Sequence, residues 1–165
     1  MKNYLIIILV CIGFKSYAQE RITVLTNASE TFIETYKKLY SNEFTLDHAY
    51  RLGPTSTKTL KEGIRIAIKW IDLNATHQKD FEKEVCRFKA MDKEPYKFHG
   101  YVDQLAVEMT LYFKGNSDGT FVLEIKQYDS YSKFISFSDK EMIISFRDLL
   151  DGKSANKEID DIFKK

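Results

Sequence analysis

The sequence predicts an α+β domain: an antiparallel sheet of three to four strands around a central hairpin at 105–128, packed on one face by helices. Three observations carry this expectation. Leu105, Val107, Met109, Leu111 and Phe113 alternate with Ala106, Glu108, Thr110, Tyr112 and Lys114, the period of a half-buried strand. After Gly115-Asn116-Ser117-Asp118-Gly119 the alternation resumes, with Phe121, Leu123 and Ile125 set against Val122, Glu124 and Lys126. Helical spacings flank the hairpin on both sides, at Phe81, Val85 and Phe88 and again at Met142, Phe146 and Leu149.

The faces of the hairpin constrain its register. A slip of one residue would send every apolar side chain to water, so only a loop with an odd number of residues, three or five, keeps both faces. Counting outward from Gly115 and Gly119 sets Phe113 opposite Phe121, Leu111 opposite Leu123, Met109 opposite Ile125, Glu108 opposite Lys126 and Tyr112 opposite Val122. Asp118-Gly119 suits a type I turn closed by a left-handed glycine.

The remaining elements follow in chain order. Arg21 to Thr26 is short and β-branched, as an edge strand is. Asn27, with Glu30 three residues on, has the spacing of a capping box, and Phe32, Tyr36, Leu39 and Tyr40 predict a helix over 28–41. Residues 42–57 contain Gly53-Pro54 and little periodicity, so they read as loop. Leu60 to Leu73 satisfies two patterns. As a strand it aligns Ile64, Ile66, Ile68 and Trp70; as a helix it aligns Ile64, Ala67, Ile68 and Ile71 opposite Arg65, Lys69 and Asp72. Thr59 with Glu62 favours the helix, whereas Gly63 and the isoleucines favour the strand. Phe81, Val85 and Phe88 predict a helix over 76–91, so helical structure is expected over 60–91. Residues 93–100 cross to the sheet, and a turn near Asp129-Ser130 leads to a further strand at Lys133 to Ser138. The last predicted helix, 139–150, opens on Ser138 and Glu141 and ends at Gly152. Ile159, Ile162 and Phe163 allow a short helix in the charged tail.

Residues 1–18 carry a different message. Lys2 precedes an uncharged apolar run from Tyr4 to Phe14, and Ser16-Tyr17-Ala18 puts small residues where a leader peptidase reads before Gln19. The stretch resembles a bacterial secretory signal peptide, which implies cleavage between Ala18 and Gln19 and a secreted or periplasmic location. Eleven apolar residues are too few to span ~30 Å of hydrocarbon as a helix. Lys15 is unusual so close to a cut site, and Cys11 raises a lipoprotein alternative, which Val10 before it disfavours. The remaining 147 residues, 19–165, suffice for a single domain.

Charge and cysteine content bound the function. Of 25 basic and 24 acidic residues, two basic ones, Lys2 and Lys15, leave with the leader, for a formal charge of −1. Without a basic stripe the chain is not expected to bind nucleic acid, and the mature part offers no membrane span. A single thiol, Cys86, cannot form an internal disulfide and reads as a small buried hydrophobe. The chemistry-bearing residues are sparse. His77, Asp80 and Glu84 fall at i, i+3 and i+7 of the expected helix, and His99 with Asp103 flanks Gly100. His48 is isolated. No nucleophile elbow, phosphate-cradling glycine loop or Cys-x-x-Cys pair occurs, so no catalytic, metal or cofactor residue is assigned.

The best candidate surface is the outer hairpin face: Thr110, Tyr112, Val122, Glu124, Lys126 and Tyr128, an aromatic–polar mixture of the kind interfaces favour. Cover by the domain's own helices would instead make Tyr112 and Tyr128 core residues. The expected function is an exported, non-catalytic binding domain whose partner is a protein or glycan of the cell envelope. The alternative is a small metal-dependent or thiol hydrolase using His77, His99 or Cys86; a third is a structural subunit of a surface assembly.

Overall fold

A computed structural model describes residues 20–38, 43–92, 100–128 and 133–153. The leader with Ala18 and Gln19, Leu39 and Tyr40, His99, the turn at Asp129-Ser130 and the tail with Ile159, Ile162 and Phe163 lie outside them. The chain forms β1 (Glu20–Thr26), β2 (Thr31–Lys38), β3 (Phe44–Leu52), α1 (Pro54–His77), β4 (Phe81–Asp92), a 3-10 turn at Asp103–Leu105, β5 (Val107–Gly115), β6 (Phe121–Gln127), β7 (Lys133–Phe137) and α2 (Lys140–Leu150). The strands form one antiparallel sheet in sequence order, β1 to β7.

The class is α+β, but the expected sheet of three to four strands under a set of helices is overturned. The sheet has seven strands, and the described residues form two α-helices. Three segments account for the difference. Residues 28–41, expected as a helix, hold β2. Residues 42–57, expected as loop, hold β3 and the start of α1. Residues 76–91, expected as a helix, hold the end of α1 and most of β4.

Each correction has a local physical cause. Asn27 does not cap a helix; its Oδ1 accepts from the backbone N–H groups of Ser29 and Glu30, both at 2.9 Å, and so closes the tight β1–β2 turn. The buried positions of β2 are Thr31, Ile33 and Thr35, an alternation too polar to register as a strand. In β4 a bulge inserts Val85 between Glu84, which pairs with Tyr112, and Cys86, which pairs with Leu111. The extra residue brings Phe81 and Phe88, seven apart, to the same side of the sheet, so a bulged strand imitates a helical repeat.

The segment 60–73 is helical, inside the longer α1. Helix α1 starts six residues earlier than that segment, because Pro54 sits at the first helical position, where its missing N–H costs nothing. Leu60, Ile64, Ala67 and Ile71 are buried, and Arg65, Lys69 and Asp72 face solvent. Gly63 is required by contact: a Cβ there would overlap Cys86 Sγ of β4 and approach Leu111 Cδ2 of β5 to 3.1 Å. The glycine that argued against a helix is what lets this helix lie close on the sheet.

The hairpin is confirmed, with a shifted register. Gly115 pairs with Phe121, Phe113 with Leu123, Leu111 with Ile125, Thr110 with Lys126 and Tyr112 with Glu124. The loop is the five-residue option, two residues out from the register counted above, so the faces are preserved while the partners change. Gly119 has φ 83° and donates its N–H to Asn116 O at 3.0 Å. Met109, Leu111, Phe113, Phe121, Leu123 and Ile125 are all buried. Leu105, which ends the 3-10 turn, and Val107, which opens β5, both expected on the same face, are 39% exposed.

One core joins these elements. Phe113 stacks with Phe81 (5.2 Å) and Phe121 (6.1 Å) and meets Trp70 of α1 edge-on at 5.9 Å. Helix α2 is capped by Asp139, which accepts from Met142 N, rather than by Ser138. It buries Ile143, Phe146 and Leu150, one step round from the expected stripe of Met142, Phe146 and Leu149. Ile22 of β1 and Phe137 of β7, on opposite edge strands, line one shallow apolar groove with Phe146 and Leu149 of α2. Asn74, buried near the end of α1, donates to Asn116 O (3.2 Å) and Thr120 O (2.9 Å), tying the helix to the β5–β6 loop.

Candidate functional site

The outer face of β4–β7 follows directly from the register. Across the strands, Glu82, Lys114 and Val122 form one row; Glu84, Tyr112, Glu124 and Ser136 the next; Arg87, Thr110 and Lys126 the third. Lys89 and Glu108 form the fourth, which Tyr128 joins by donating its N–H to Glu108 O at 2.9 Å. Because of the bulge, Glu84 and Arg87 share this face despite being an odd number of residues apart.

Of the six residues expected on this surface, Tyr112, Val122, Glu124 and Lys126 line one shallow depression of about 570 Å³ together with Glu82, Lys114, Asn116 and Ser136. All its described lining comes from the strands and the hairpin loop, none from α1 or α2. Cover by the domain's helices is therefore not what half-buries Tyr112. At the other end of the face, Arg87, Lys89 and Glu108 share a second depression with Pro54, Thr55, Ser56 and Thr59 of α1. Thr110 is buried in its row and donates to Cys86 O at 3.3 Å. Tyr128 lies at the far end of the face, under Arg87.

Electrostatics organise the face. Lys114 Nζ lies 3.0 Å from Glu82 Oε1, and Tyr112 OH donates to Glu82 Oε2 at 3.2 Å. The hydrogen bonds from Lys114 and Tyr112 hold the Glu82 carboxyl below the usual range. Lys126 Nζ sits 4.1 Å from the Tyr112 ring centre, and Arg87 Cζ sits 3.8 Å from that of Tyr128 while its Nε donates to Glu84 at 2.8 Å. Each tyrosine thus presents a ring face already occupied by a cation. Glu82, Glu84, Arg87 and Lys89 are absent from the sequence-derived site because residues 81–91 read as helical; the alternation of Glu82 and Glu84 with Phe81, Lys83 and Val85 is the signal that locates them, whereas Lys114 already stands on the outer side of the hairpin alternation.

The residues considered for catalysis disperse. His77 ends α1, Asp80 lies in the following turn with Oδ1 accepting from Ser117 N at 2.6 Å, and Glu84 is on β4. They share no helical face, and among the described residues no group of three or more His, Cys, Asp or Glu side chains is placed to hold a metal ion. Asp103 pairs with Lys89 Nζ at 2.6 Å and accepts from Tyr101 OH at 3.1 Å. His48 lies on β3, 3.4 Å from Asp47 Oδ2. Cys86 is a free thiol against Gly63, and burial, with Glu84 adding to it, pushes it up to about 11, the opposite of an activated nucleophile.

Among the described residues no helix is long and apolar enough to cross a membrane. Comparison of the chain with protein-family models, with curated proteins and with solved structures finds no match.

Proposed function

We propose that the chain is an exported, non-catalytic domain of the bacterial envelope or medium that binds a protein through the outer face of β4–β7. The observation that carries this reading is that the part of the face formed by Glu82, Tyr112, Lys114, Val122, Glu124 and Lys126 is an open depression with no described lining from α1 or α2. Its chemistry favours a protein over a glycan. Sugars stack on free aromatic faces, whereas Tyr112 and Tyr128 each have a cation within about 4 Å of a ring. Ordered charges on a rigid sheet instead suit a partner of complementary charge, and such complementarity supplies specificity and association rate.

Replacing Tyr112 and Tyr128 together with Ser tests the reading. Binding to cell-envelope extract should fall while the denaturation midpoint stays unchanged; binding that is unaffected removes this face from consideration.

A further inference from the structure

The charges of the outer face are arranged with a symmetry that one copy does not need. Along β4 they run Glu82, Glu84, Arg87, Lys89; along β5, Glu108 lies at the Lys89 end and Lys114 at the Glu82 end; on β6, Glu124 and Lys126 follow one another. A midline drawn across the strands, between the Tyr112 row and the Thr110 row, reflects each of these eight charges onto one of opposite sign; Lys133 of β7, which pairs with Lys126, and Asp103, which holds Lys89, stand outside the pattern. Glu84 reflects onto Arg87, Glu124 onto Lys126, Glu82 onto Lys89 and Lys114 onto Glu108. The uncharged positions match as well, Tyr112 with Thr110 and Val122 with Tyr128.

A two-fold axis lying in the interface along that midline performs this operation between two molecules. It sets each strand face to face with its own copy, running the opposite way, and puts each row over its mirror row. We infer that the outer face pairs with a second copy of the chain, Glu84 of each facing Arg87 of the other and Glu124 facing Lys126. This inference rests on the reading of that face as a binding surface and commits to its occupant. The patch measures roughly 20 by 25 Å from strand and residue spacings, so pairing buries on the order of 1,000 Å² in total, the low end of specific interfaces. The dimer is accordingly weak and sensitive to salt.

Two single substitutions, Glu84→Arg and Arg87→Glu, decide the matter by sedimentation or light scattering at low ionic strength. Wild type should move from monomer toward dimer as its concentration rises. Each variant alone sets like charges opposite one another and should associate at least tenfold more weakly. A 1:1 mixture of the two restores opposite charges at both contacts and should associate like wild type. A wild type that is monomeric throughout, single variants that pair as well as wild type, or a mixture that stays dissociated each overturns the inference. None of these results touches the binding reading itself, which fails only if the double Tyr→Ser variant retains full envelope binding.

Discussion

The two faces of the β5–β6 hairpin share one backbone and do opposite things. The inner face is uniform: Met109, Leu111, Phe113, Phe121, Leu123 and Ile125 are all buried, and any close-packed apolar set of similar volume would serve the same end. The outer face is heterogeneous, and its content lies in order rather than composition, since acids and bases take mirror positions along each of β4, β5 and β6. Stability resides on the first, and we propose that recognition resides on the second. Substitutions on either side can break that division.

The largest effect belongs to the inner face. Leu123→Ala should destabilise the protein by ~2–5 kcal/mol in urea denaturation, as truncation of a fully buried leucine does. A loss under about 1 kcal/mol would mean that this face does not carry the core. Gly63→Val probes the helix that covers it. The new side chain meets Cys86 and Leu111 with no room to move, so a cost of ~1–3 kcal/mol is expected in the same assay. Asn74→Ala cuts the tie between α1 and the hairpin loop and should cost about 1–3 kcal/mol, because Asn116 O and Thr120 O lose a buried donor.

The smallest effect concerns Cys86. Burial favours its neutral form, so the folded chain keeps the thiol proton from the unfolded value near ~8.5 up to about 11. Its contribution is fully present below that window and is lost as pH rises through it. Alkylation at pH 8 should be slow in the folded protein and fast in urea; equal rates would place the thiol at the surface.

The same contrast explains what was legible in the sequence. Strands with an apolar face declare themselves, which is why the inner side of 105–128 and its turn glycine were readable while the exact partners were not: a shift of two preserves the faces. β2 buries two threonines around Ile33, and β3 buries Arg51, which pairs with Glu30 and lies under the Phe32 ring, so neither shows an apolar alternation. β4 alternates correctly on both sides of its bulge, but the inserted Val85 converts the pattern into a helical one. That single residue also hid half of the outer face, because Glu82, Glu84, Arg87 and Lys89 all lie on β4. Gly53-Pro54 reads as loop punctuation, although proline at the first helical position is a start signal.

The direct test of the division between faces is the salt dependence of the wild-type mass in solution. Self-pairing through ordered charges predicts a mass approaching twice the monomer at about 0.01 M salt, where screening is weak, falling to the monomer as salt rises. A mass that instead grows with salt would point to association through exposed apolar residues such as Leu25 and Leu73 and would contradict the account.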